Sequence, residues 1–237
     1  MLKWSLQLHK WLALLVGVQV LFWVAGGLVM TAIPIAKVRG EHHKADFQLP
    51  PPDLSIARSP AEVAAAAGLS PAEATLKGSI RGLYWILKLP DGTTRVFEAV
   101  TGKPAPPVSE DEVRQLAGAA YEGAGKPVAA QYFESAPQET GREGPMWRVD
   151  FNDAERTALY VSPDTGEVVS RRSNLWRFYD FFWRLHILDF KDGENFNHPL
   201  IIALAALTLP MVITGWVLLV IRLGRDAKRI KRRPAAS

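Results

Sequence analysis

Two long apolar stretches lie near opposite ends of the chain. Trp11 to Ile35 and Leu200 to Ile221 contain no acidic or basic side chain. At about 1.5 Å per helical residue, each stretch is long enough to cross a hydrocarbon layer of about 30 Å. The pattern therefore predicts transmembrane helices over residues 11–36 and 199–223, and it excludes a purely water-soluble protein.

The region between these stretches alternates between helical and strand-like patterns, and it does so twice. Each copy begins with a Ser that can cap a helix and continues with short strands of alternating apolar and polar residues. Because one copy buries too little apolar surface to be stable alone, we expect the two repeats, 59–108 and 109–173, to stack as one α+β domain. The predicted helix of the first copy runs from Ser59 through Ala67, and that of the second copy covers Glu110–Tyr121. The predicted strands are Leu83–Leu89, Thr94–Ala99, Met146–Phe151 and Thr157–Val161.

The second copy also contains a longer insertion, from Pro127 to Pro145. Its sequence predicts a strand followed by a loose loop. Binding residues are often carried by loops, so this loop is a candidate contact surface.

Residues 174–191, just before the second apolar stretch, are rich in aromatic side chains. Spacings of three or four place several of them on one face of a helix. Aromatic rings with polar edges prefer the headgroup region, so we expect an amphipathic helix that lies along the membrane surface. Asn197 is the predicted cap of the following helix, and Pro199 fits its first turn. The predicted interfacial residues are Trp176, Tyr179, Trp183 and Phe190, with His186 on the same face.

Charge is distributed unevenly along the chain. The formal net charge is +4, but residues 40–199 hold 17 Lys and Arg against 23 Asp and Glu, so the basic excess lies at the two ends. The positive-inside bias then predicts that residues 1–10 and 224–237 are cytoplasmic, and that the central domain, reached through a linker at 37–58, is exported. Nucleic acid is excluded as a partner by this distribution. The tail residues expected to contact anionic lipid are Arg225, Lys228, Arg229, Lys231, Arg232 and Arg233.

The side chains available for chemistry are limited. The chain has no Cys, which excludes disulfides, thiolate metal sites and Cys nucleophiles, and it has five His. His186 and His198 fall near the exported end of the second span, whereas His9 lies at the opposite end. These three are candidate ligands of a haem b group, and His42 and His43, which follow the first span, are candidate metal ligands. The alternative is that these histidines occupy the membrane interface or a solvated linker.

Three acidic residues lie close together in the sequence near the end of a predicted strand. Asp150, Asp153 and Glu155 could imitate a carboxylate or Ca²⁺ site, but a surface hairpin explains them. The sequence contains no phosphate-binding Gly-rich loop after a strand, no His-Glu-x-x-His pair and no nucleophile elbow. It therefore predicts no catalytic residue.

Several of these segments together resemble a known family. A helix, then strands, then a turn such as Tyr160–Val168, with Pro-Asp-Thr-Gly-Glu-Val at its end, resembles the PepSY domain. Two such units between membrane helices, with Leu8-His9-Lys10-Trp11-Leu12 opening the first span and Leu185-His186 before the last, resemble the PepSY-associated transmembrane family. That resemblance implies a bacterial inner-membrane protein, and for some members ferric-siderophore reduction with b-type haem held by His. Members often have four spans, whereas this chain has two.

Two functions of different classes follow. The first is a non-enzymatic accessory or regulatory subunit, whose periplasmic domain binds a partner and whose helices pack in a membrane complex or on a second copy. The second is a haem-binding electron-transfer protein, such as a ferric reductase, whose four-helix core is completed by dimerisation. The sequence favours the first, because it contains no catalytic constellation.

Overall fold

The computed structural model describes residues 2–45, 53–79, 81–191, 193, 195 and 197–231. The chain divides into a helical unit, Met1–Pro34 with Phe178–Ser237, and an α+β unit, Ile35–Arg177. The helices are α1 (Leu2–Ala32), α2 (Ile35–Val38), α3 (Pro60–Ala66), α4 (Glu110–Ala119), α5 (Asn174–Ile187) and α6 (Pro199–Lys231). The strands are β1 (Glu73–Ser79), β2 (Gly82–Lys88), β3 (Thr94–Glu98), β4 (Pro127–Phe133), β5 (Met146–Phe151), β6 (Ala158–Val161) and β7 (Val168–Arg172).

The two longest helices, α1 and α6, are long and apolar enough to cross a membrane. Their segments Lys3–Ala32 and Pro199–Lys228 each have a mean hydropathy of 2.3. Large apolar side chains such as Leu15 and Val220 are more than half exposed along both helices. So much exposed apolar surface is unfavourable in water and suits a lipid environment.

The two long helices pack against each other around one polar side chain. Nδ1 of His9 lies 3.0 Å from the carbonyl oxygen of Met211 and 3.3 Å from Oγ1 of Thr214. Gly215 makes room for the imidazole, because a Cβ at that position would lie 3.0 Å from Cε1 of His9. His9 is therefore part of the contact between α1 and α6.

The end of α5 also packs against α1. The last carbonyl groups of a helix have no partner within the helix, and here α1 supplies donors for two of them. Gln19 Nε2 donates to the Leu185 carbonyl at 3.2 Å, and Trp23 Nε1 donates to the His186 carbonyl at 2.7 Å. A Cβ on Gly26 would lie 3.4 Å from the Phe182 carbonyl oxygen, so this glycine permits the close approach.

The first half of the α+β unit is a three-stranded antiparallel sheet, ordered β1-β2-β3, with α3 against it. Its core joins Val63 of α3 to Leu87 and Phe97 of the sheet. Ser59 caps α3 by accepting from the Glu62 amide at 3.2 Å, and Glu62 accepts from the Ser59 amide in return. Trp85 in β2 donates to the Arg58 carbonyl at 2.9 Å, which ties the sheet to the start of the helix.

The second half uses the same local construction on a larger sheet. Its strands are antiparallel in the order β4-β5-β6-β7, and α4 packs on them. Ser109 and Glu112 form a second capping box, and Trp147 in β5 donates to the Val108 carbonyl at 3.1 Å. In both halves the Trp therefore bonds the carbonyl that directly precedes the capping Ser. The buried core includes Val113, Leu116, Val149, Leu159 and Val161.

Arg81 connects the two halves. Its guanidinium donates to Glu112 Oε1 at 2.7 Å and to the carbonyls of Pro106 and Asp164. The backbone amide of Val108 bonds the Pro163 carbonyl at 2.7 Å, and Lys77 pairs with Glu167. The turn that receives these contacts includes Gly166, whose φ of 70° is accessible to glycine with little strain. The two halves therefore stack through the helix caps and the β6–β7 turn.

These observations confirm the predicted combination of two apolar helices and an intervening region with two small antiparallel sheets. Strand β5 has the predicted bounds, whereas β1 and β7 were not predicted.

Asn197 was the wrong cap, because Pro199 is the first residue of α6 and Nδ1 of His198 accepts from the Leu200 amide at 3.3 Å. Phe190 is not on the face of α5, since that helix ends at Ile187 and Leu188 has a φ of 56°.

The packing of His9 predicts a strong effect of bulk at residue 215. In Gly215→Val, the new side chain would meet the imidazole and displace it from the Met211 carbonyl. Overpacking of this kind costs about 1–3 kcal/mol, so we expect a lower midpoint of thermal unfolding in detergent, followed by tryptophan fluorescence. Gly224→Val is the matched control, because a Cβ at Gly224 of the same helix would have no atom within 4 Å in the described part of the chain. Equal midpoints for the two variants would contradict the proposed packing.

Candidate functional site

Two adjacent histidines lie on a short 3₁₀ turn, Glu41–His43, near the start of the α+β unit. Gly40 precedes the turn with a φ of 67°, and the rings of His42 and His43 are 3.9 Å apart between centroids. The turn is held to the end of α4, because the His43 carbonyl accepts from the Glu122 amide at 3.0 Å and Ala45 donates to the Ala120 carbonyl at 3.2 Å. Both imidazoles are thus carried by backbone that is bonded to the folded unit.

Tyr121 lies beneath this turn and connects it to the sheet. Its ring centroid is 5.4 Å from that of His43 and 4.4 Å from that of Phe151, and its hydroxyl donates to Asp153. Burial, with the hydrogen bond to Asp153, raises the pKa of Tyr121 to about 12. Burial acts to raise the pKa of Asp153 as well, but hydrogen bonds from Thr157 and Tyr121 outweigh it and lower that pKa. At neutral pH the pair is a neutral phenol that donates to a carboxylate.

Glu155 approaches the two histidines from the β5–β6 turn. Its backbone is fixed, because its carbonyl accepts from the Asn174 amide at 2.8 Å. Arg156, the next residue, has a φ of 50°, an unfavourable conformation for a side chain with a Cβ. Oε2 of Glu155 is buried and has no hydrogen-bond partner among the described residues. One ligand atom from each of His42, His43 and Glu155 lies within 4.8 Å of the others. We call these three residues the His-His-Glu cluster.

A small cavity borders this cluster. Its volume is about 10 Å³, roughly the space that one water molecule needs. Arg171 reaches the same cavity, and burial lowers the pKa of its guanidinium while Glu41 acts to raise it. The lining residues are Val38, Gly40, His43, Tyr121, Glu155, Thr157, Arg171, Arg172 and Ser173.

The other three histidines belong to the helical unit, and their contacts are with different partners. His9 bonds α6, as described above, and His198 caps the same helix from its own N-terminus. Nδ1 of His186 is buried without a hydrogen-bond partner in the described part of the chain, and it would lie 3.6 Å from a Cβ on Gly26. His9 of α1 therefore contacts α6, whereas His186 of α5 contacts α1 next to Gly26. Residues 9 and 26 are about 25 Å apart along α1, at about 1.5 Å per residue.

The predicted interfacial and lipid-contacting residues have varied surroundings. Trp176 lies under the Arg172 guanidinium at 4.3 Å, and Trp183 donates to the Gly193 carbonyl at 2.9 Å. Tyr179 is half-buried, and Phe190 is 60% exposed. Helix α6 continues through the first part of the basic tail to Lys231, with Arg225 and Lys228 exposed. Arg232 and Arg233 lie outside the described residues.

The loop after β4 is held in place rather than loose, and Glu139 is the main reason. Arg177 donates to both carboxylate oxygens of Glu139 at 3.1 and 3.2 Å, and Tyr160, which is fully buried, donates to it as well. Arg172 donates to the backbone carbonyls of Glu139 and, at 3.2 Å, Thr140. Burial acts to raise the pKa of Glu139, but the Arg177 and Tyr160 hydrogen bonds outweigh it and lower that pKa.

Comparison with known proteins agrees with this architecture. The family model of the PepSY-associated TM region matches residues 6–237, nearly the whole chain. The chain belongs to this family. It is accordingly a membrane protein with a PepSY domain, and α1 and α6 are its candidate spans. No curated protein and no solved structure matches it.

The sequence indicates His42 and His43 as candidate metal ligands but not their neighbours Glu155 and Tyr121. Glu155 was interpreted as part of a surface hairpin, and Tyr121 only as the end of a helix. The acidic residue is 112 positions from His43, so no local pattern joins them. The available signal was weaker: a charged residue next to a tight turn that follows a strand.

The Glu139 contacts predict a pH-dependent contribution to stability. Because the pKa of Glu139 is lower in the folded protein than its ordinary value of 4.5, the ionised form favours folding. This contribution is complete above about pH 4.5 and is lost as the pH falls through the folded-state pKa. Glu139→Gln should therefore lower stability by about 1–3 kcal/mol at neutral pH and show a smaller loss on acidification. Thermal melts of the full chain from pH 7 to pH 3 measure both the loss of stability at neutral pH and its change on acidification.

The matched control is Glu134→Gln, because Glu134 is an exposed carboxylate on the same loop. It removes the same charge without removing the contacts to Arg177 and Tyr160. The assigned role of Glu139 is wrong if both variants follow the same pH dependence as the unmodified chain.

Proposed function

We propose that this protein is a non-enzymatic accessory or regulatory subunit, whose α+β unit binds a polar segment of a partner protein. The observation that carries the proposal is a surface groove of about 480 Å³ in that unit. We call it the Lys77–Arg142 groove. Its lining residues are Lys77, Arg142, Glu143, Pro145, Met146, Ser162, Pro163, Asp164, Glu167, Val168 and Val169.

The groove has the chemistry of a recognition surface. It combines charged side chains of both signs from a strand, a turn and a loop, and its volume is in the range of about 300–1,000 Å³ that is typical of ligand sites. No histidine lines it. Mixed charges of this kind select a partner by complementary charge and orientation rather than by apolar area.

The groove is also built on anchored backbone. Arg142 and Glu143 lie on the loop that Glu139 ties to Arg177, and the Arg142 amide bonds Thr140 Oγ1 at 3.0 Å. Elsewhere in the lining, Lys77 of β1 pairs with Glu167 of the β6–β7 turn. A preformed surface loses less conformational entropy on binding, which favours a binding role.

The remaining features of the proposal concern topology. Two PepSY-like repeats would form the α+β unit, as the shared Trp-to-carbonyl bonds and capping boxes support. The family resemblance supports a bacterial inner-membrane location, and the basic tail supports an orientation with both termini in the cytoplasm and the central unit in the periplasm. Lipid would contact the tail and the aromatic residues of α5, and α1 and α6 would pack on another membrane protein or a second copy.

Charge reversal in the groove tests the binding role. Arg142→Glu should reduce recovery of a crosslinked partner from native membranes by at least tenfold, since like charges then oppose a complementary ligand. Lys103→Glu is the matched control, because Lys103 is an exposed cation of the same unit that does not line the groove. Equal recovery with Arg142→Glu and Lys103→Glu, or a chain that crosslinks to nothing, would count against the proposal.

A second candidate function, haem-dependent electron transfer, is favoured by one observation. The buried Nδ1 of His186 has no hydrogen-bond partner among the described residues. A polar ring atom in this state is costly to bury, and ligation is one way to satisfy it. The family resemblance supplies the cofactor class, a b-type haem that would carry single electrons toward a ferric substrate.

The residues of one chain fit such a haem only in part. Bis-histidine ligation needs two imidazoles on opposite faces of one macrocycle. His9 is too far along α1 from His186 to share a haem with it, and Gly26 packs closely against Nδ1 of His186. His9 would need its partner ligand from a second copy, and His198 is the remaining candidate on the side of His186.

A spectrum of the purified protein separates the two functions. Haem binding predicts a reduced-minus-oxidised b-type spectrum from haem-replete cells and its loss in His186→Ala or His198→Ala. A colourless folded protein would reject haem binding and leave the accessory role. Full pigment in His9→Ala, His186→Ala and His198→Ala would reject these three residues as its ligands.

A further inference from the structure

We propose that the His-His-Glu cluster binds one divalent transition-metal ion, of which Zn²⁺ is the representative. The ligand atoms would be one imidazole nitrogen from each of His42 and His43 and a carboxylate oxygen of Glu155. This site lies within the α+β unit and is independent of the Lys77–Arg142 groove and of haem.

The donor set fits this class of ion. Two imidazoles and one carboxylate form a recurring three-ligand set for Zn²⁺, which binds His nitrogen at about 2.0–2.1 Å and carboxylate oxygen at about 2.0–2.2 Å. The three ligand atoms already lie within 4.8 Å of one another, so a modest side-chain movement closes the set. Ca²⁺ and Mg²⁺ are poor alternatives, because they prefer oxygen ligands.

The unpartnered carboxylate oxygen is the second, independent observation. Oε2 of Glu155 is shielded from solvent and accepts no hydrogen bond from the described residues. Burying a carboxylate oxygen without a hydrogen bond is costly, and a cation at this position would compensate for the lost hydration of that oxygen. The hydrogen bond from Asn174 to the Glu155 backbone, at 2.8 Å, keeps the side chain near the histidines.

The solvent access of the cluster and the space for a fourth ligand are both consistent with a bound metal ion. His42 is exposed, so an ion can reach the cluster from solvent. The adjoining cavity of about 10 Å³ accommodates a single water molecule, which would complete four-coordinate geometry. A cavity of this size does not admit an organic ligand.

The nearby arginines set a limit on affinity without excluding the ion. Arg172 directs its guanidinium to the carbonyls of Glu139, Thr140 and Arg171 and stacks on Trp176. Arg171 faces the cavity, but Glu41 partly balances its charge. Asp153 adds a negative charge near His43. The Arg171 guanidinium at the same cavity therefore opposes the charge of the ion, and we expect micromolar rather than nanomolar affinity.

The test is Zn²⁺ titration of the full chain in detergent, purified without a polyhistidine tag, by isothermal calorimetry. We expect one Zn²⁺ per chain. Because each ligand contributes strongly, Glu155→Gln and His43→Ala should each weaken binding by at least about tenfold. Glu122→Gln is the matched control: Glu122 is an exposed carboxylate next to the same turn but outside the cluster, and its loss should change affinity less than about twofold.

Co²⁺ in place of Zn²⁺ provides a second readout. A four-coordinate His-His-Glu site gives intense visible absorption, which His42→Ala should abolish, and His42 is exposed enough that its replacement should leave the fold intact. Near-ultraviolet circular dichroism checks the fold of each variant. The proposal is overturned if the chain binds no Zn²⁺ at micromolar concentration, or if Glu155→Gln and His42→Ala bind it as tightly as Glu122→Gln.

Discussion

The apolar surface of α1 and α6 is the constraint on which the rest of this structure depends. In hydrocarbon no water is present to bond a free amide or carbonyl, so a spanning segment must satisfy its backbone internally and an α-helix does so. The same condition makes the few polar side chains within these helices informative. Gln19 and Trp23 donate to the last carbonyls of α5, and His9 bonds α6. Each satisfies a polar group that lipid could not.

Small residues decide where these helices approach one another. A Cβ would meet a neighbouring helix at Gly26 and Gly215, whereas at Gly17 and Gly27 it would meet no atom of the described residues within 4 Å. The glycines are therefore not equivalent, although the sequence presents them alike. At Gly26 the absence of a side chain lets the end of α5 approach α1, where Trp23 donates to the His186 backbone carbonyl, and at Gly215 it makes room for the His9 imidazole beside α6. Packing and polar satisfaction thus occur at the same places.

How far the sequence predicts this molecule depends on the distance over which each signal acts. The alternation in Met146–Phe151 and the capping sequence at Ser109 are local, and β5 and α4 start where those patterns predict. Strand β1, Glu73–Ser79, is polar and lies at a sheet edge, so it has no buried face to produce an alternating pattern. The cap of α6 was misassigned by one residue, because His198 is a less common cap than Asn197.

The candidate site shows the same limit more sharply. Glu155 is in a turn whose composition is typical of a solvated hairpin, and that interpretation is correct for its neighbour Asp150, which pairs with Arg148 at 2.8 Å. Glu155 differs because the Glu41–His43 turn lies next to it, and this turn is hydrogen-bonded to residues at the end of α4 rather than to the hairpin. Ligand atoms of this turn and of Glu155 lie within 4.8 Å of one another, and Oε2 is buried without a hydrogen bond from the described residues. This cost comes from tertiary contacts, and a buried carboxylate oxygen without a hydrogen bond therefore indicates a ligand site that the pattern of the surrounding residues does not reveal.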